Sequence, residues 1–280
     1  MLIQVLNGIV YGGLLYLMAV GLVLIFGLRE IGNFAHGALF MLGAYVAYTF
    51  SGSYWLGLIF AFLILAAMGV ALDAGVFRPL RRQDHMVTIL VTFGILLVLE
   101  AGVMLFFGKD IRSVPAPALL SGTVDLGGSL FPTYRLFVIA VSFSVAIGLS
   151  LWLRYTRTGL YVRAASVDPT TTAVQGVDTD RLSLLVVGLG TALAGLAGAV
   201  AAPLVAVSPS MGAFIVIESF IVVVVGGLGS FGGAFVAAML IGQIHNFGVI
   251  YVPWGATMFP FLLMMGVLIW RPTGFAGRRI

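Results

Sequence analysis

Apolar residues run through this chain in long blocks separated by short polar breaks. Crossing the hydrocarbon of a bilayer takes about 20 apolar residues in a helix. Five blocks read as such spans: Leu2 to Leu28, Trp55 to Phe77, Met86 to Phe107, Leu136 to Leu153 and Leu182 to Val207. Three shorter or glycine-interrupted blocks follow less cleanly, Phe34 to Phe50, Ala213 to Val225 and Ala234 to Ile250, and a last one covers Ala256 to Trp270. The pattern predicts an all-α membrane protein: a polytopic helical bundle of eight or nine membrane elements, some broken or re-entrant, forming one domain over residues 1–280.

Composition leaves lipid as the main solvent. The chain is 61% hydrophobic and 9% charged, against about 25% charge in a soluble domain. The net charge of +4 does not point to nucleic acid, which requires a basic face on a soluble fold. With no cysteine, disulfides and thiolate metal sites are excluded. The first block lacks a basic leader and is too long for a signal peptide.

Loop charge predicts the orientation. Arg29, the stretch "RPLRRQDH" (Arg78 to His85), the loop holding Arg154, Arg157, Arg163 and Arg181, and the tail with Arg271, Arg278 and Arg279 fall on one face if the spans alternate. Only Lys109, Arg112 and Arg135 fall on the other. The positive-inside rule then makes residues 154–181 and the C-terminus cytoplasmic, with the N-terminus and the 108–132 loop outside. An internal echo links Phe26–Phe40 with Val225–Val236, each a glycine-rich turn before an apolar helix, and duplicated halves are common in transporters.

The longest polar stretch, "ASVDPTTTAVQGVDTDR" (Ala165 to Arg181), reads as a capped helix. Asp168 can accept hydrogen bonds from the open N–H groups of a first turn, and Pro169 loses nothing at the first helical position. Gly176 reads as a left-handed stop, and Asp178 as the cap of the following element. Two turns carrying three threonines are marginal alone in water. The segment is either a plain connector or a rigid docking helix for a soluble partner.

Three ordered motifs carry a family resemblance: "GNFAHGALFMLGAYVAY" (Gly32 to Tyr48), "RTGLYVRAASVDPTTTAVQGVDTDRL" (Arg157 to Leu182) and "GGLGSFGGAFVAAMLIG" (Gly226 to Gly242). Together they resemble the permeases of branched-chain amino-acid ABC importers, of the LivH type, over essentially the whole chain. The resemblance implies that Arg163, Ala164, Ala165, Asp168, Pro169 and Gly176 belong to a segment that couples to an ATPase. It further implies a homologous, LivM-like permease partner, two cytoplasmic ATPase subunits and a periplasmic binding protein. The implied setting is a bacterial or archaeal inner membrane. The implied solute is a hydrophobic amino acid or a related small compound such as urea, an amide or an organic acid. The run Thr170 to Thr172 departs from the family, where acidic or small residues are more usual.

Catalysis finds little support. A P-loop needs G-x-x-x-x-G-K-[ST], yet around Lys109 the earlier glycine, Gly102, is misplaced by one and Asp110 stands where Ser or Thr belongs. The histidines show no zinc-protease spacing and no G-x-S-x-G occurs. No cofactor is expected, and the chain reads as a non-catalytic subunit. Polar groups within spans are the candidates for a pathway or gate, because a charge at mid-bilayer costs at least about 2.5–3.5 kcal/mol. They are Asn33, His36, Glu100, Glu218, Gln243, His245 and Asn246, each with the alternative of satisfying groups inside the bundle. Asp73 is expected to pair with loop arginines. Gly190, Ala194, Gly198 and Ala202 form a small-residue row suited to close helix packing. The rival reading is an autonomous channel or ion-coupled secondary transporter.

Overall fold

The structure, a computed structural model, describes residues 1–29, 32–80 and 83–276. Glu30, Arg81, Arg82, Arg278 and Arg279, which entered the motif and charge readings, lie outside the described residues. A helix forms at each apolar block: α1 (Leu2–Arg29), α2 (Ala35–Thr49), α3 (Tyr54–Leu72), α4 (His85–Phe107) and α5 (Thr133–Tyr155). Two short helices follow, α6 (Arg157–Ala165) and α7 (Pro169–Val174). The chain then re-enters the bundle as α8 (Thr179–Ala201), α9 (Met211–Gly226), α10 (Phe231–Tyr251) and α11 (Phe259–Trp270).

Among the described residues, seven helical stretches are long and apolar enough to cross a membrane. The remaining two membrane elements, α2 and α9, have 15 and 16 residues. At 1.5 Å per residue each reaches about 22–24 Å, short of a hydrocarbon core of about 30 Å. The expected span from Leu182 to Val207 stops as a helix at Ala201, because Pro203 supplies no N–H to continue the ladder. The expected helix from Ala256 begins as a 3₁₀ turn at Pro253–Met258. In the 108–132 connection the sequence reading anticipated no strands. It holds a small antiparallel hairpin, β1 (Thr123–Asp125) with β2 (Leu130–Pro132), turned at Gly127 and Gly128.

Contacts fix the direction of each helix. Arg29, at the end of α1, and Ser183, near the start of α8, bind the same Asp73. At the opposite end Gln243 and Asn246 of α10 bond to the Val5 and Gln4 carbonyls of α1. There, too, the hydroxyls of Tyr54 and Tyr134 donate to the Ala199 and Val200 carbonyls. Those carbonyls lie in the last turn of α8, where the helix offers no N–H partner. An Arg112–Val207 backbone pair, 2.8 and 2.9 Å, joins the hairpin connection to this end. The N-terminus therefore lies at the end of the hairpin, opposite α6 and α7.

Within the best apolar window of each helix, 78% of residues are buried in α1 and α8, but only 17–22% in the windows containing α3, α4, α5 and α11. The former pair is the core and the latter group the rim. The packing repeats with inverted direction. α1 lies against α10 as α8 lies against α3; α2 rests on α3 and α8 as α9 rests on α10 and α1; α4 covers α2 as α11 covers α9. This equivalence matches α1–α4 with α8–α11. It corrects the sequence echo, which joined the α1–α2 turn to the α9–α10 turn. Glycine-rich turns recur for local reasons and gave the wrong register.

Small residues make the central crossings. A Cβ on Gly21 would strike the Gly190 carbonyl, one on Gly37 the Gly212 carbonyl, one on Gly43 the backbone of Gly195, and one on Gly198 the Phe40 carbonyl. The row at Gly190, Ala194 and Gly198 is thus a packing surface, as expected. Gly198→Ala should cost about 1–3 kcal/mol through overpacking. Gly94→Ala in α4, where nothing lies within 4 Å, should gain up to about 1 kcal/mol from helix propensity. Thermal unfolding of the two purified variants in detergent checks the contrast.

Candidate functional site

The polar segment after α5 is built by three successive caps. Thr156 accepts a hydrogen bond from the Gly159 N–H at 3.0 Å and starts α6. Gly159 has no room for a side chain, since a Cβ would meet the Leu153 backbone; α6 therefore folds tightly under the end of α5. Asp168 accepts from the Thr170 and Thr171 N–H groups, both at 2.9 Å, and starts α7. Asp178 accepts from Asp180 and Arg181 and starts α8. Gly176 has φ +86°. Its N–H reaches the Ala173 carbonyl and the Val177 N–H the Thr172 carbonyl, the bonding of a Schellman stop.

The threonine run, unexplained by the sequence, acts in this cap. Thr171 donates its hydroxyl to Asp168 Oδ2, and Thr172 donates to the Asp168 carbonyl at 2.7 Å while its side chain is buried. A weak helix-forming sequence is thereby fixed through its side chains. Arg163, Ala164, Asp168, Pro169 and Gly176 are exposed on this segment, and Ala165 is buried beneath it. Val167 and Val174 are also exposed, at 65% and 83%. Apolar side chains on a polar end of the molecule are characteristic of a contact surface. A groove beside them is lined by Tyr161, Ala164, Thr171, Gln175 and Leu185.

Behind α7 a cleft of about 550 Å³ reaches the bundle, lined by Leu28, Arg29, Val167, Pro169, Ala173 and Ser183. Here lies a network the sequence reading foresaw only in part. The π-helical stretch Asp73–Phe77 closes α3, and Asp73 is wholly buried. It accepts from Arg29 at 2.6 Å and from the Ser183 hydroxyl at 3.0 Å, with Arg78 Nε 3.7 Å away. Pairing with Arg78 was expected; the closer partner, Arg29, comes from 44 residues upstream. The available signal was a single arginine ending the first apolar block and a single acid ending the third. One carboxylate thus joins the ends of α1, α3 and α8 directly above α7.

The intramembrane candidates separate into four places. Asn33 and His36 are fully buried where the chain enters α2. The His36 N–H bonds the Asn33 carbonyl and His36 Nε2 meets the Met18 carbonyl at 3.1 Å. Glu100 is half-buried on α4 and makes no hydrogen bond among the described residues. Gln243 and Asn246 hold α10 to the start of α1. His245 stacks on Tyr11, with ring centroids 4.3 Å apart, and Tyr11 donates to both oxygens of Glu218 at 2.9 Å. Tyr11 was missed because an aromatic within an apolar block carries no distinguishing signal.

Residues 4–268 match the family model described as branched-chain amino acid transport system / permease component. A high-affinity branched-chain amino acid transport system permease protein, BraD, of Pseudomonas aeruginosa is 30% identical over 98% of this chain and 95% of its own length. The corresponding LivH protein of Escherichia coli is 28% identical over the same shares. A probable LivH of Methanocaldococcus jannaschii is 28% identical over 97% and 91%. No solved structure matches.

The Asp168 cap gives α7 a definite pH dependence. Donation by the Thr171 hydroxyl, then by the backbone N–H groups, holds its carboxyl below the ordinary carboxylate range. The cap is at full strength above the unfolded value of about 4 and is lost as pH falls through the lower folded value. Amide hydrogen exchange in α7, corrected for intrinsic rate, should show constant protection from about pH 7 to pH 5 and a decline below about pH 4. Asp168→Ala should remove that protection at every pH.

Proposed function

Because this chain belongs to the branched-chain amino acid transport permease family, we propose that it forms one half of the translocation pathway of an ATP-driven importer. It is a multi-pass protein of the cytoplasmic membrane. Its solute is a branched-chain or other hydrophobic amino acid, and the chain itself hydrolyses no ATP. Its partners are a second, homologous permease, two ATPase subunits on the cytoplasmic side and an external binding protein. The observation that carries the reading is α7. Capped at both ends and exposed, it is seated on the cleft that leads to Asp73.

Coupling then has a physical route. A two-turn helix fixed by Asp168 and Gly176 transmits displacement as a body, where an unstructured loop would absorb it. Its exposed Val167 and Val174, with Ala164 and Arg163, offer the ATPase an apolar contact edged by charge. On the other side α7 bears on the start of α8, where Ser183 shares Asp73 with Arg29. A push at α7 therefore reaches α8 and α1, the two core helices. The rim helices have fewer buried contacts to break and follow.

Gly176→Pro tests the docking surface. Proline fixes φ near −65° and has no N–H, whereas Gly176 sits at +86° and donates to Ala173. The variant should lose the co-purifying ATPase while the permease remains folded and monodisperse in detergent. A normal ATPase complex from this variant would count against the coupling role. Ion-gradient-driven uptake by the purified chain alone in liposomes would favour a secondary transporter.

A further inference from the structure

Glu218 lies within the apolar helix α9, half-buried where α9 meets α1 and α10. Its two oxygens share one donor, the Tyr11 hydroxyl. An ionised carboxylate has about four acceptor positions, so most of its capacity is unused. Among the described residues it forms no ion pair. The surroundings are nonetheless rigid. Tyr11 stacks on His245 at 11° between ring planes, and α10 is held to α1 through Gln243 and Asn246.

Packing does not require a charge here. In the equivalent junction of the other half, where α3 meets α8, the close contacts are Gly69 with Thr191 and Leu65 with Gly195. The acid at that junction, Asp73, is paired with Arg29 and bound by Ser183. Glu218 has no such cation among the described residues, and a carboxylate within a bilayer costs at least about 2.5–3.5 kcal/mol near the centre. A compensating group from beyond the described residues would offset that cost. A carboxylate held beside two stacked rings matches a primary ammonium, which needs a counter-charge, acceptors for its N–H groups and the face of an aromatic ring. Phe214, one turn away on the same face of α9 and 72% exposed, offers apolar surface to a branched side chain next to that ammonium.

We propose that Glu218, positioned by Tyr11 and His245, is a transit site for the ammonium group of the amino acid as it passes through the permease. The assignment rests on the amino-acid permease reading above. It places the charge-recognising group of the pathway on α9, with Tyr11 as a positioning residue and Phe214 beside the solute's side chain.

Two measurements test it. In proteoliposomes carrying the complete importer, Glu218→Gln and Glu218→Leu should lower leucine import per ATP hydrolysed by about ten-fold or more, the scale of losing one member of a buried charge pair. Assembly of the complex should stay near wild type, and Glu218→Asp should recover part of the import. In the purified full chain, 3-methylbutylammonium at saturation should slow modification of Glu218 by dicyclohexylcarbodiimide about three-fold or more, and 4-methylpentanoate should not. A wild-type import ratio in Glu218→Gln, or modification unaffected by the ammonium, overturns the site. Protection by the ammonium, alongside a wild-type importer that carries no branched-chain amino acid, overturns the substrate reading and leaves the site standing.

Discussion

The fold depends on backbone meeting backbone at the centre of the bundle. In lipid, burying an apolar side chain gains little over leaving it among acyl chains, so helices associate through close contact. Here α1 crosses α8 at Gly21 and Gly190, and α2 meets α9 at Gly37 and Gly212. These crossings leave no space for a Cβ, and they bring the two halves of the repeat together. Everything at the rim, including the exposed aliphatic faces of α3, α4 and α5, can vary in detail without moving them.

That centre explains why the polar chemistry sits where it does. A core of glycine and alanine leaves little room for ionisable side chains: His36 is held beside the Gly21 crossing by the Met18 carbonyl, and the acids gather at the ends and along one flank. At one end Asp73 binds Arg29 and Ser183 across three helix termini. A buried pair of this kind is weak evidence of net stability, because desolvation offsets much of the attraction. Its consequence is geometric: the ends of α1, α3 and α8 cannot separate without exposing an unpaired charge. The opposite end is closed by neutral groups, Tyr54 and Tyr134 against the last carbonyls of α8.

Spans and the caps of α7 were legible because each follows from a short-range rule. A block of about twenty apolar residues has few alternatives in a membrane, and Asp-Pro followed by a glycine seven residues later marks a helix from its own local chemistry. What could not be read depended on distant pairs. Asp73 found Arg29 across a helical hairpin, and Glu218 found Tyr11 from 207 residues away. The internal repeat was misregistered for a related reason. Its two halves share packing relations more than residues, and the glycines most visible in the sequence serve local turns. The threonines of α7 show the converse: they depart from the family pattern, yet their hydroxyls brace Asp168, a local role hidden by average helix propensity.

The two halves of the repeat have diverged in a way that bears on direction. The first half carries the arginine-bound Asp73, at the end of α3, beside the cleft behind α7. The second carries Glu218, within α9, braced by α1 and α10. One acid is bound by a cation and fully buried; the other has a single neutral donor and is half-buried. An acid tied to a cation holds helix ends together, whereas one without can exchange partners as the bundle shifts. Both connect through α1, since Arg29 ends it and Tyr11 lies along it. Movement of that one helix relative to α8 and α9 would therefore act on the Asp73 joint and on Glu218 together. That shared helix gives an importer a way to keep ATP-driven motion in step with passage of its solute.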